Sequence, residues 1–140
     1  MLDHIADATN PLLGIALIVG LILLWQRDKN NCSRIFIAAI VSIVLIQLIR
    51  VTEAHYDVWA HWAMNFSTHA AMTIAFCVPL ALLWKRLWWL FLAIFIVYDA
   101  LMMLLAFHSL ADIITTTLVI LPLCCLCHFV ALRKKRVLQS

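Results

Sequence analysis

Nearly all of this chain is divided into apolar runs about as long as the hydrocarbon core of a bilayer is thick, and that constrains its fold more than any other feature. Lipid offers no water to the backbone N–H and C=O groups, so such a run must satisfy them internally, as a helix. Five runs qualify, at residues 11–25, 33–50, 66–84, 87–107 and 109–132. Asn10 is placed to cap the first, with Pro11 in its opening turn, and Pro79 is a candidate kink in the third. Of 140 residues 66% are hydrophobic and 12% charged, a balance that excludes a soluble globular domain. The polar stretches between runs are too short for a second domain. The expected fold is a single all-α integral membrane bundle over residues 1–140.

The first run has acidic residues before it, basic residues after it and no small-residue cleavage site, so it reads as a retained helix rather than a signal peptide. Positive charge collects on the cytoplasmic side of membrane proteins. Arg27, Lys29 and Arg34 fall between runs one and two, and Lys85 and Arg86 between runs three and four. Arg133, Lys134, Lys135 and Arg136 follow run five. Five alternating spans put these nine on one side and leave Arg50 on the other. That predicts a multi-pass chain with its N-terminus outside and its C-terminus in the cytoplasm. Trp25, Trp84, Trp88 and Trp89 cluster near the same interface. Topology thus accounts for the basic residues, and no nucleic-acid role is assigned to them.

Cys32, Cys124, Cys125 and Cys127 fall on the cytoplasmic side and Cys77 inside a helix, so a disulfide framework is not expected. Cys124, Cys125, Cys127 and His128 follow one another on one helix and cannot converge tetrahedrally on an ion.

A second asymmetry is not required by topology. Asp3, His4, Asp7, Arg50, Glu53, His55, Asp57, His61, His69, His108 and Asp112 all map to the outer face. Asp3, His4 and Asp7 read as solvated terminal residues. His108 and Asp112 are spaced i, i+4 at the start of run five, where a carboxylate can hold an imidazole tautomer. His69 opens run three at the same level, so two helix N-termini would point free amides into one pocket, a favourable place for phosphate. Arg50, the one outer-face Arg or Lys, would clamp a phosphate oxygen. Residues 51–65, with Tyr56, Trp59 and Trp62, read as an interfacial segment suited to a lid.

Phe66-Ser67-Thr68-His69-Ala70-Ala71 resembles the P-S-G-H signature of the type-2 phosphatidic acid phosphatase superfamily, and His108-Ser109-Leu110-Ala111-Asp112 resembles the end of its H-x3-D signature. The two histidines are 39 residues apart, room for one descending and one ascending span. The resemblance covers roughly residues 50–120 and implies a phosphoric-ester hydrolase or phosphotransferase acting on a phospholipid or isoprenoid-lipid phosphate. It implies His108 as nucleophile, Asp112 as its orienting partner and His69 as the acid for the leaving oxygen, with no cofactor. Ser67, Thr68 and nearby amides would hold the phosphoryl group, assisted by Arg50. In a bacterial host the site would be periplasmic. The chain departs from the family in lacking K-x6-R-P, in carrying Phe66 and Thr68 for the Pro and Gly, and in having Met102 for an arginine.

Two other readings compete. A metal-dependent membrane hydrolase would draw ligands from His55, His61, His69, His108 and Asp112; haem between spans would want deeper histidines. A noncatalytic bundle or transport accessory protein would use Asp99, an ionisable residue inside run four. The small size is compatible with a homodimer.

Overall fold

The computed structural model describes residues 2–133, with side chains from residue 8 onward. The side chains of Asp3, His4 and Asp7, and all of Lys134, Lys135 and Arg136, lie outside the described residues. Five helices make up the fold: α1 (Leu2–Arg27), α2 (Lys29–Tyr56), α3 (Thr68–Leu83), α4 (Trp88–Leu104) and α5 (Leu110–Arg133). Short 3-10 turns interrupt two of the connections, at Ala60–Trp62 and Lys85–Leu87, and no strand occurs among the described residues. Four stretches are long and apolar enough to cross a membrane: Ala8–Arg27, Lys29–Tyr56, Lys85–Leu104 and Leu110–Arg133. They expose large apolar side chains such as Ile22, Phe36, Leu48, Ile96, Leu118 and Phe129, as a surface solvated by lipid does. The chain is an all-α membrane bundle.

The fifth helix, α3, has 16 residues and a different place. At 1.5 Å per residue it spans about 24 Å, less than the ~30 Å hydrocarbon core. It packs against all four of the others. Its sequence explains the position: Ala70, Ala71, Thr73 and Ala75 are small and buried, and small residues let helix backbones approach closely. Surrounded by protein, α3 need not match the thickness of the lipid. α2 also lies along α5, and α1 lies between α2 and α4. Arg27, Lys29, Lys85, Arg86 and Arg133 stand at one end of the bundle, because that is where α1, α3 and α5 end and α2 and α4 begin.

Helix limits differ from the sequence expectation in two places. α1 begins at Leu2, not at an Asn10 cap, and Pro11 lies inside it. The Asn10 amide is used elsewhere: its Nδ2 donates to the Tyr98 hydroxyl at 3.4 Å and its Oδ1 accepts from Thr73 Oγ1 at 2.9 Å. α2 continues six residues past Arg50 because its end is well capped. Asp57 adopts a left-handed conformation (φ 48°) and closes the helix on the Glu53 carbonyl, while the Glu53 carboxylate accepts the Trp59 N–H. Residues 51–56 therefore extend α2 rather than lying along the interface.

Both glycines of the chain sit on α1 against α3 or the turn after it. A methyl on Gly14 would meet Phe76 at 3.7 Å, an ordinary contact, whereas on Gly20 it would come within 3.0 Å of Leu83 and 3.2 Å of Trp84. Gly14→Ala should leave thermal stability in detergent unchanged or raise it, since helical Gly costs about 0.5–1 kcal/mol relative to Ala. Gly20→Val should lower it by about 1–3 kcal/mol through overpacking. Equal midpoints for the two variants would refute close docking of α1 on α3.

Candidate active site

The starts of α3 and α5 lie side by side at the end of the bundle opposite the basic residues. Ser67 caps α3, its hydroxyl accepting the Ala70 N–H at 3.3 Å, and its own N–H donates to Thr116 Oγ1 on α5 at 3.0 Å. Ser109 caps α5 in a reciprocal box. The Asp112 N–H donates to Ser109 Oγ at 3.2 Å and the Ser109 N–H to Asp112 Oδ2 at 2.8 Å. The other carboxylate oxygen, Oδ1, accepts the Asn65 N–H at 2.6 Å. Asp112 is 4% exposed, so one buried carboxylate ties the α2–α3 connection to the first turn of α5.

These bonds hold two histidines together. The rings of His69, in the first turn of α3, and His108, just before the α5 cap, lie 5.8 Å apart between centroids at an interplanar angle of 57°. Phe107 also stacks on His69, at 6.3 Å and 20°. The turn that delivers Phe107 and His108 passes through Ala106 in the left-handed region (φ 57°), an uncommon conformation for a residue with a Cβ. Nδ1 of each histidine is buried and has no hydrogen-bond partner. Burial, then the neighbouring His69, push the His108 pKa below the usual histidine value, with Asp112 opposing more weakly.

The structure thus brings His69, His108, Asp112, Ser67 and Thr68 to one end of α3 and α5. It does not pair His108 with Asp112. The i, i+4 relation fails because α5 begins at Leu110, leaving His108 outside the helix, and both Asp112 oxygens are engaged by backbone amides. Ser67 is 0% exposed and its hydroxyl is committed to its cap. Arg50 is exposed on α2, with no hydrogen bond or ion pair to the site among the described residues. His55 and His61 are exposed and each turns Nδ1 onto a carbonyl of its own segment, Val51 and Asp57 respectively. Among the described residues no three His, Cys, Asp or Glu side chains converge to hold a metal, so the five alternative ligands are not assembled.

Sequence reasoning missed Asn65, Ser109 and Thr116, which build the site from beneath. The Ser109-x-x-Asp112 spacing is a capping-box signature and could have identified one of them. Trp59, expected on a lid, is instead anchored: its indole N–H donates to Thr115 Oγ1 at 3.3 Å and its ring meets Phe66 edge-on at 5.2 Å. Trp62 remains 73% exposed. No family model, curated protein or solved structure matches the chain.

Asp112→Asn should test the clamp directly. An asparagine keeps one acceptor but turns a donor toward the other amide, so thermal stability in detergent should fall by about 1–3 kcal/mol. Cleavage by added protease should rise within residues 57–67. Unchanged stability and protease resistance would remove Asp112 from this structural role.

Proposed function

We propose that the chain crosses the membrane five times with its basic end in the cytoplasm. We further propose that its two histidines transfer the phosphoryl group of a phospholipid or isoprenoid-lipid phosphate on the opposite face. The observation that carries this reading is the 5.8 Å approach of two imidazoles from different helices at a shared pair of helix N-termini. Charge asymmetry supports the orientation, since among the described residues Arg50 is the one Lys or Arg away from the basic end.

With both Nδ1 atoms buried, Nε2 is the nitrogen each ring presents to a substrate. Nε2 of neutral His108 attacks phosphorus, forming an N–P bond as the P–O bond to the lipid breaks, and protonated His69 gives its proton to the departing oxygen. Water then attacks the phosphohistidine, transferring a proton to His69. Inorganic phosphate leaves and the electron pair of the N–P bond returns to His108. A lipid hydroxyl in place of water gives the transferase variant. Asp112 acts through position, by fixing the loop that carries His108, and its negative charge stabilises the ring as it becomes cationic. Arg50 supplies the clamp for a phosphate oxygen, and Thr68 flanks it on α3.

The test is phosphate release from a panel of lipid phosphates in detergent, wild type against His108→Ala, with and without a strong chelator. Chelator-resistant release that His108→Ala lowers by at least about 100-fold is expected, the usual scale for loss of a nucleophile or proton carrier. Release abolished by chelation would replace this mechanism with a metal-dependent one, and no release from any substrate would leave a noncatalytic bundle.

The reaction should also carry a defined acid limb. His108 reacts only when neutral, and its pKa is lowered from 6.5, so neutral ring persists below pH 6.5 and is lost only as pH falls through the lowered value. The acid limb of kcat/KM should therefore lie below pH 6.5. A limb centred above that value would exclude His108 as the titrating nucleophile.

A further inference from the structure

Near the histidine end, α4 packs on α5 through Tyr98, Met102 and Ile113. Toward the basic end the two helices part, and α3 becomes the floor of a cleft between them. Its deeper section, about 220 Å³, lies between Ile74 of α3, Phe91 and Phe95 of α4, and Thr117 and Leu121 of α5. The section nearer the basic end, about 880 Å³, is walled by Leu82, Cys125, Phe129 and Leu132 and ends at Arg133. Val78 lines both, so the two sections adjoin. Its larger section is within the ~300–1,000 Å³ of small-molecule sites.

The wall is apolar and the rim is cationic. Arg133 stands at the mouth, and Lys85 and Arg86 turn the chain at the same end of the bundle. A basic rim over an apolar cleft between helices fits an anionic head with hydrocarbon tails. A second observation points to a ligand. His128, 2% exposed, lines the larger section, and its Nε2 is buried without a hydrogen-bond partner. Its Nδ1 must donate to the Cys124 carbonyl at 2.9 Å, because a carbonyl only accepts. Nε2 of the neutral ring is therefore an acceptor, able to take the proton of a glycerol hydroxyl. It lies five residues, about 7.5 Å, deeper than Arg133, a depth that a glycerol phosphate head reaches. The groove between α1 and α2, about 470 Å³, has no Lys or Arg in its lining and serves as a comparison.

We propose that these adjoining sections, the larger between α3 and α5 and the smaller between α4 and α5, bind an anionic phospholipid of the leaflet at the basic end, with its phosphate on Arg133 and its acyl chains along α3. The site is separate from the histidine pair and does not depend on the phosphoryl-transfer reading.

The delipidated full chain in neutral detergent is offered phosphatidylglycerol and phosphatidylcholine of identical acyl chains, and retained lipid is read by native mass spectrometry. Wild type should prefer phosphatidylglycerol by roughly tenfold, the scale of one or two cationic contacts. Cys125→Trp, which fills the cleft from an exposed position and keeps every cation, should abolish retention. Arg133→Gln should lower the preference to within about threefold. Phosphatidylglycerol with a photoreactive group in its acyl chain should label α3, α4 and α5 of the wild type, a measurement that needs no variant to fold. Equal retention of the two lipids, full retention by Cys125→Trp, labelling of the α1–α2 groove, or a second copy cross-linked into the cleft would each overturn the proposal.

Discussion

The arrangement of the histidine end depends on one carboxylate. Asp112 accepts the backbone N–H groups of Asn65 and Ser109, which belong to different connections, and so fixes how the α2–α3 loop meets the start of α5. Charge-assisted bonds to backbone amides are stronger than neutral ones, and the carboxylate itself is buried. Every other placement at this end follows: the Ser67 N–H on Thr116, the Trp59 ring on Phe66, and His69 beside His108. There is also a chemical consequence. The Asn65 and Ser109 amides are thereby occupied by an internal anion.

The interior is joined by a second polar device. Asn10 of α1, Thr73 of α3 and Tyr98 of α4 form a chain of hydrogen bonds across three helices, the one proton of the Thr73 hydroxyl being shared between Asn10 Oδ1 and the His69 carbonyl one turn above. In an apolar bundle, where dispersion contacts are similar in many registers, such bonds select one. Asp99, next to Tyr98 and 5% exposed, lies outside this chain, and neither carboxyl oxygen has a hydrogen-bond partner.

The helices were legible in the sequence because their existence follows from the cost of unpaired backbone in lipid, which acts on whole runs of residues. Their limits were not, because caps decide them. Apolarity ends near Arg50, yet α2 runs to Tyr56 on the strength of Asp57 and Glu53. Likewise Asn10 has the chemistry of a cap and serves as a cross-helix bond. The approach of His69 to His108 was legible from their 39-residue separation, which places both at one level. The role of Asp112 was not: one spacing offers the i, i+4 partner His108, another the capping residue Ser109, and only the position of the helix start chooses between them. The central place of α3 was hinted at by its alanines, but hydropathy alone gives it the same weight as its neighbours.

That central place also sets how the other helices pair. α1 is held along α3 by two glycine contacts, and α2 is packed against α1, α3 and α5. α4 and α5 are consecutive, yet they touch mainly near their shared loop and diverge beyond it. They are joined through the turn at Ala106, where an alanine occupies a left-handed conformation and the next two residues are Phe107 and His108. Strained backbone persists only where the surroundings over-determine it, and here they include the ring stack on His69 and the Ser109 cap.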